Sequence, residues 1–134
     1  MTEDTQSTEA PKGCPAIRKV MMPRDTNALG TIFGGVILSQ IDLAAAVEAH
    51  NVYGGRIVTV AMDQVEFKSP VFVGDLVSFF TETKRIGRTS IKVYVGVWAQ
   101  RRFGGGDHVF VTDAEVTMVA VDDEFKPTPL KPEA

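Results

Sequence analysis

The sequence predicts an α+β domain in which an antiparallel sheet packs around one mostly apolar helix. Three observations predict it. A single run, GGVILSQIDLAAAVEAHNV, is apolar almost all round and is bounded by Gly34–Gly35 and Gly54–Gly55. Downstream of it the hydrophobic period changes from helical spacing to strict alternation. Short turns separate the alternating segments, so consecutive strands pair antiparallel.

The chain has 134 residues, 44% of them hydrophobic and 23% charged, which fits one ordinary globular domain. At that length about two-thirds of the unfolded surface can be buried, so no disulfide or metal is needed to fold it. Residues 1–15 read as a disordered lead, residues 16–126 as one domain and residues 127–134 as an extended tail rich in proline. A short strand is expected at 16–22, then a turn-rich loop at 23–34. The helix is expected at 35–52. It carries no Ser, Thr or Asp at its start, so its first N–H groups are left to face something else. A helix so uniformly apolar belongs inside a sheet rather than on a surface. Ala44, Ala45 and Ala46 permit close backbone approach.

Residues 56–68 read as a long strand with Val58, Val60 and Met62 on one face and Val65 and Phe67 on the other. The change of phase requires a bulge or bend near Asp63. Strands at 76–86, 90–101 and 108–122 follow, separated by the Gly87-Arg88-Thr89 turn and the Gly104-Gly105-Gly106 loop. One five-stranded sheet leaves an edge or face needing cover, which predicts at least a dimer.

A net charge of −3 gives no nucleic-acid or membrane signature. The N-terminus is polar, without an apolar core, and the one cysteine, Cys14, has no partner. Together these predict a cytoplasmic protein. Two histidines, His50 and His108, and one cysteine make a metal site an unfavoured expectation, and no cofactor is expected. Between Thr83 and Gly106 the charged residues are Lys84, Arg85, Arg88, Lys92, Arg101 and Arg102, all basic. Such a patch on an acidic chain suits a small anionic ligand, or is a set of solvated strand-end charges.

Asp42 is the anomaly of the helix, with Leu38, Ser39, Ala45 and Ala46 one turn away. A carboxylate in an apolar cleft is a candidate general base or nucleophile, or a structural group turned to solvent or bonded across an interface. Asn27 is a natural turn residue or an amide that orients water or a carbonyl. Gly34–Gly35 opens the helix and also lets a ligand reach its first N–H groups, which carry partial positive charge. Gly87-Arg88-Thr89-Ser90 is a donor-rich turn that fits a phosphate, or a decorated hairpin. Glu48 and His50 carry weaker signals.

The stretch MMPRDTNALGTIFGGVILSQIDLAAA, with RIVTV, VEFKSPVFVGD, GRTS and VAVD after it, resembles the hotdog-fold acyl-CoA thioesterases, and most of all the bacterial YciA-type enzymes. Pro23, Asp25, Asn27, Gly30, Gly34–Gly35 and Asp42 stand in that family's order. The resemblance implies an acyl-CoA thioester hydrolase, paired subunits with active sites between them, and assembly as a trimer of dimers. It implies a catalytic role for Asp42, with Asn27 as its partner from the other subunit and Gly35 supplying a backbone N–H to the thioester carbonyl. It maps CoA contacts onto Arg56, Thr59, Lys68, Arg88, Thr89 and Ser90. Relatives often carry a histidine before the Gly pair; here Phe33 stands there, as in the YciA group. A non-catalytic acyl-CoA sensor on the same fold is the alternative. A hotdog dehydratase ranks below both, because no histidine falls between residues 23 and 49.

Overall fold

The computed structural model describes residues 10–103 and 105–131. The expected disordered lead therefore falls mostly outside the described residues, as does the end of the tail. In chain order the elements are β1 (Ile17–Val20), a 3-10 turn (Pro23–Asp25), α1 (Gly34–Val52), β2 (Ile57–Asp63), β3 (Leu76–Ile86), β4 (Ser90–Gln100) and β5 (His108–Ala120). The five strands form one antiparallel sheet in the order β1-β3-β4-β5-β2. The helix crosses its concave face, as expected from the sequence.

The sheet curls because three strands each carry an extra residue. Lys84 is inserted in β3 against β4, Val111 in β5 against β4, and Val60 in β2 against β5. Each insertion increases local twist and bends the strand toward the helix. Alternation then puts Val77 and Phe79 of β3, Ile91, Val93, Val95 and Val97 of β4, and Val116 and Met118 of β5 on the helix side, all buried. Ile37, Ile41, Ala44, Ala45 and Ala49 meet them from α1. The small side chains at 44, 45 and 49 bring the helix axis close to the sheet.

Two expectations need correction. The helix is not buried on most sides in a single chain: Leu43 and Val47 stay 54% and 45% exposed. The second correction concerns β2. Its bulge falls at Val60, so Ile57, Thr59 and Met62 share the register positions that face the helix, rather than Val58, Val60 and Met62. The strand ends at Asp63, where Gln64 takes a positive φ of 47° and turns the chain out of the ladder. Residues beyond it still follow β5 loosely, with Lys68 N–H donating to the Val111 carbonyl at 2.7 Å.

The last strand stops at Ala120 because Asp122 starts a tight turn. Its side chain accepts from the N–H groups of Glu124 and Lys126 at 2.9 and 3.0 Å. Beyond that turn the tail is pinned, with Thr128 N–H on the Ala120 carbonyl and Leu130 N–H on the Arg88 carbonyl, each at 2.9 Å. Among the described residues no helix is long and apolar enough to cross a membrane.

Candidate active site

Asp42 lies midway along α1 and is half-buried. Its Oδ1 accepts a hydrogen bond from the Thr59 hydroxyl at 2.6 Å. That length is typical of a hydroxyl donating to a carboxylate. The contact exists because the Val60 bulge sets Thr59 on the helix side of β2, opposite Met118. Thr59, mapped by resemblance to a CoA contact, thus stands against the carboxylate. Oδ2 of Asp42 has no partner among the described residues.

Gly35 and Asp42 lie on one stripe of α1, with Leu38 between them. Phe33 is the N-cap and provides no side-chain cap; Val36 N–H donates to the Phe33 carbonyl at 3.0 Å, which leaves the N–H groups of Gly34 and Gly35 as the uncapped ones. The absent cap was legible from the sequence. The Phe33 ring folds over Gly35, 2.5 Å from where a Cβ would stand, so any larger residue at 35 must displace that ring.

Asn27 is largely occupied within its own loop. Its Oδ1 accepts from Leu29 N–H at 2.8 Å and Thr31 N–H at 3.2 Å, and its Nδ2 donates to Thr31 Oγ1 at 2.9 Å. Gly30, at φ 88°, closes this turn. One amide hydrogen of Nδ2 is left over. Within one chain no hydrogen bond joins Asn27 to Asp42.

The residues mapped to CoA fall at two ends of the molecule. Arg56, Arg88, Thr89 and Ser90 gather at one end, where Val121 N–H donates to the Arg56 carbonyl at 2.9 Å and Ala120 N–H to the Thr89 carbonyl at 2.8 Å. The Arg56 guanidinium is already engaged by the Asp122 carbonyl at 2.9 Å, Asp123 at 3.5 Å and the Phe125 ring. Asp122, Asp123 and Glu124 line the open cavity beside it, an acidic setting for an arginine meant to meet phosphate. Lys68 lies beside Val111, ten residues away along β5, or about 30 Å at a strand's rise. Its ammonium pairs with Glu66 at 2.8 Å. That pairing holds the Glu66 carboxyl below its ordinary value and the Lys68 ammonium above its own. One chain cannot bring Lys68 and the Arg88 turn to the same phosphate.

Beside the start of α1 a cavity of about 370 Å³ is lined by Ile32, Gly34, Ile37, Phe67, Pro70 and Val71, with Lys68 and Ser69 as its polar members. It is the apolar cleft nearest the uncapped helix N–H groups.

Sequence reasoning passed over two polar clusters. Glu48 accepts from the Thr81 and Thr83 hydroxyls at 3.0 and 2.7 Å, clasping α1 to β3. Two threonines two residues apart on an otherwise apolar strand face were the signal for it. Asp75, only 3% exposed, pairs with Arg101 and accepts from Phe72 N–H at 2.9 Å. Arg101 also donates to the Pro70 carbonyl at 3.0 Å and stacks on Phe72.

Residues 29–102 match the Thioesterase superfamily model. The acyl-CoA thioester hydrolase YciA of Salmonella typhimurium is 38% identical over 128 residues, covering 94% of this chain and 96% of its own. A hexameric hotdog fold thioesterase of Campylobacter jejuni superposes with a TM-score of 0.83 at 47% identity, covering 89% of this chain and 91% of its own. A hexameric broad specificity acyl-coenzyme A thioesterase superposes at 0.85 with 40% identity, covering 93% and 86%. Identity at this level over nearly the whole domain, on a sheet that curls around one helix, means that the chain belongs to the thioesterase superfamily, among the hotdog-fold acyl-CoA thioester hydrolases of the YciA type.

Proposed function

We propose that this chain hydrolyses acyl-CoA to free CoA and a carboxylic acid, with Asp42 as the group that drives the attack. The observation that carries this reading is the Asp42–Thr59 contact. One carboxylate oxygen is held by a hydroxyl at 2.6 Å, which leaves the other presented at a fixed angle. As a general base, Oδ2 takes a proton from water while the water oxygen bonds to the thioester carbon. The C–S bond then breaks, and CoA leaves as the thiol once its sulfur is protonated. As a nucleophile, Oδ2 bonds to that carbon itself, the C–S bond breaks and CoA leaves as the thiolate, and water then cleaves the resulting anhydride to the acid and the free Asp42 carboxylate. In either route the N–H of Gly35 stabilises the oxyanion, and the spare amide hydrogen of Asn27 orients water or substrate.

Helix geometry supports a two-subunit site. Gly35 and Asp42 are seven residues apart, about 10.5 Å along the axis. A thioester must lie about 3 Å from both its attacking group and its oxyanion donor. Gly35 of one subunit therefore serves a thioester facing Asp42 of another. The exposed Leu43 and Val47 flank of α1 and the unpaired outer edge of β2 supply apolar surface for that pairing. Relatives described as hexameric support a homodimer assembled as a trimer of dimers. The CoA phosphates bind at the Arg88-Thr89-Ser90 turn, with Arg56 beside them. A non-catalytic sensor has no use for a carboxylate held in this way.

The test is a panel of acyl-CoAs assayed with wild type and Asp42→Ala. Loss of CoA release in the variant is the expected result, and unchanged turnover refutes the assignment. Single turnover in oxygen-labelled water separates the two routes, since label in the protein carboxylate marks the anhydride.

A further inference from the structure

We infer that Phe67 sets the acyl chain length this enzyme accepts, as the wall of the apolar cavity at the start of α1; the inference rests on the acyl-CoA hydrolase reading. Five side chains, Phe33, Leu38, Met62, Phe67 and Phe79, are large enough and near enough in sequence to be lining candidates, and the structure separates them. Phe79 is fully buried in the core, Met62 packs against it, Leu38 does the same from the helix, and Phe33 lies over Gly35. Only Phe67 of the five lines the cavity.

The cavity has the right chemistry and the right place. It is walled by Ile32, Ile37, Phe67, Pro70 and Val71, with Lys68 and Ser69 as its polar members, and Gly34 brings it to the start of the helix. A thioester whose carbonyl oxygen sits on the Gly35 N–H can turn its acyl chain into this space. Phe67 contacts the helix there, with its ring 3.6 Å from where a Cβ of Gly34 would stand.

The wall is also rigid. The Glu66 carbonyl before Phe67 accepts from Thr112 Oγ1 at 2.7 Å, and Lys68 N–H after it donates to Val111 at 2.7 Å. Farther along, the Val71 carbonyl accepts from Ile32 N–H at 2.8 Å, and the Pro70 carbonyl accepts from Arg101 at 3.0 Å. Backbone anchored on both sides fixes the Cα of Phe67 beside the cavity, so its ring can leave the wall only by a change of rotamer and not by movement of the segment. Phe67 is itself 45% exposed, so changing it leaves the core intact.

The experiment measures kcat/KM for straight-chain acyl-CoAs from acetyl to lauroyl with wild type, Phe67→Ala and Phe67→Trp. A methylene gained or lost in an apolar pocket is worth about tenfold in discrimination or more. The ratio of long-chain to short-chain kcat/KM should therefore rise about tenfold in Phe67→Ala and fall about tenfold in Phe67→Trp. Product inhibition by free CoA should be unchanged in both. Parallel changes at every chain length, or a shift in CoA inhibition that tracks them, would place the pantetheine arm in the cavity and overturn the inference. If wild type hydrolyses the series and neither variant moves the profile, the role of Phe67 falls and the hydrolase reading stands. If wild type releases CoA from none of the series, the hydrolase reading falls and takes this inference with it.

Discussion

Thr59→Val removes one hydroxyl and keeps the shape of a β-branched side chain in β2. The hydroxyl donates to Asp42 Oδ1 at 2.6 Å, and both ends of the bond are reachable by solvent in the single chain. A hydrogen bond to a charged group contributes about 1.5–3 kcal/mol, and water can replace part of an accessible one. The lower end, about 1.5 kcal/mol, corresponds to slightly more than a tenfold change in rate. Through its bond to the carboxylate Thr59 acts as a positioning residue, so its loss should appear in kcat. Steady-state kinetics with one good acyl-CoA should show kcat down about tenfold and KM changed less than about threefold. Thr59→Ser restores the donor and should recover most of the rate. The Tm of the valine variant should stay near wild type, because an exposed hydroxyl adds little to the fold. A valine variant with wild-type kcat would refute the reasoning. A serine variant as slow as the valine would do so too, since the loss would then follow packing rather than the hydroxyl.

Glu48→Ala should lower stability by about 1–3 kcal/mol, because two half-buried hydroxyls lose their acceptor; thermal unfolding would show a Tm several degrees lower, with the acyl-CoA preference unmoved. Arg101→Met leaves the buried Asp75 carboxylate without its cation and should cost about 3–5 kcal/mol by urea unfolding. An Asp75→Asn change in the same background should recover part of that loss. Burial, with a hydrogen bond to Asp113 at 3.0 Å, raises the Tyr94 phenol above its ordinary value. A spectrophotometric titration of Tyr53→Phe, in which Tyr94 is the only tyrosine left, should therefore show ionisation later than that of free tyrosine. Adding Asp113→Asn should bring it earlier.

Much of the architecture is written in local pattern. The period change after Gly55 separates helix from strands, and short turns such as Gly87-Arg88-Thr89 can only join antiparallel neighbours. The uncapped start of α1 and the lone carboxylate at Asp42 were likewise visible, because both are departures from what a helix of that composition carries. Element ends were less legible. The last strand reads through to residue 122 on hydrophobicity, yet Asp122 captures two backbone N–H groups and ends the ladder at Ala120.

What local pattern does not carry is register. Plain alternation puts Val58, Val60 and Met62 on one face and Thr59 on the other. A single inserted residue at Val60 reverses this, turning Thr59 toward Asp42. Nothing in the strand's own composition announces that insertion, because it is fixed by pairing with β5 across more than fifty residues of chain. The same holds for Glu48, whose partners lie on β3, and for Phe67, one of five equivalent candidates until the backbone at 66 and 68 is tied to β5. The sequence by itself determined a curled sheet around an apolar helix and singled out the carboxylate, since composition and period are properties of short segments. Only the tertiary structure decided which hydroxyl holds that carboxylate and which ring lines the cavity, since both depend on contacts between segments distant in the chain.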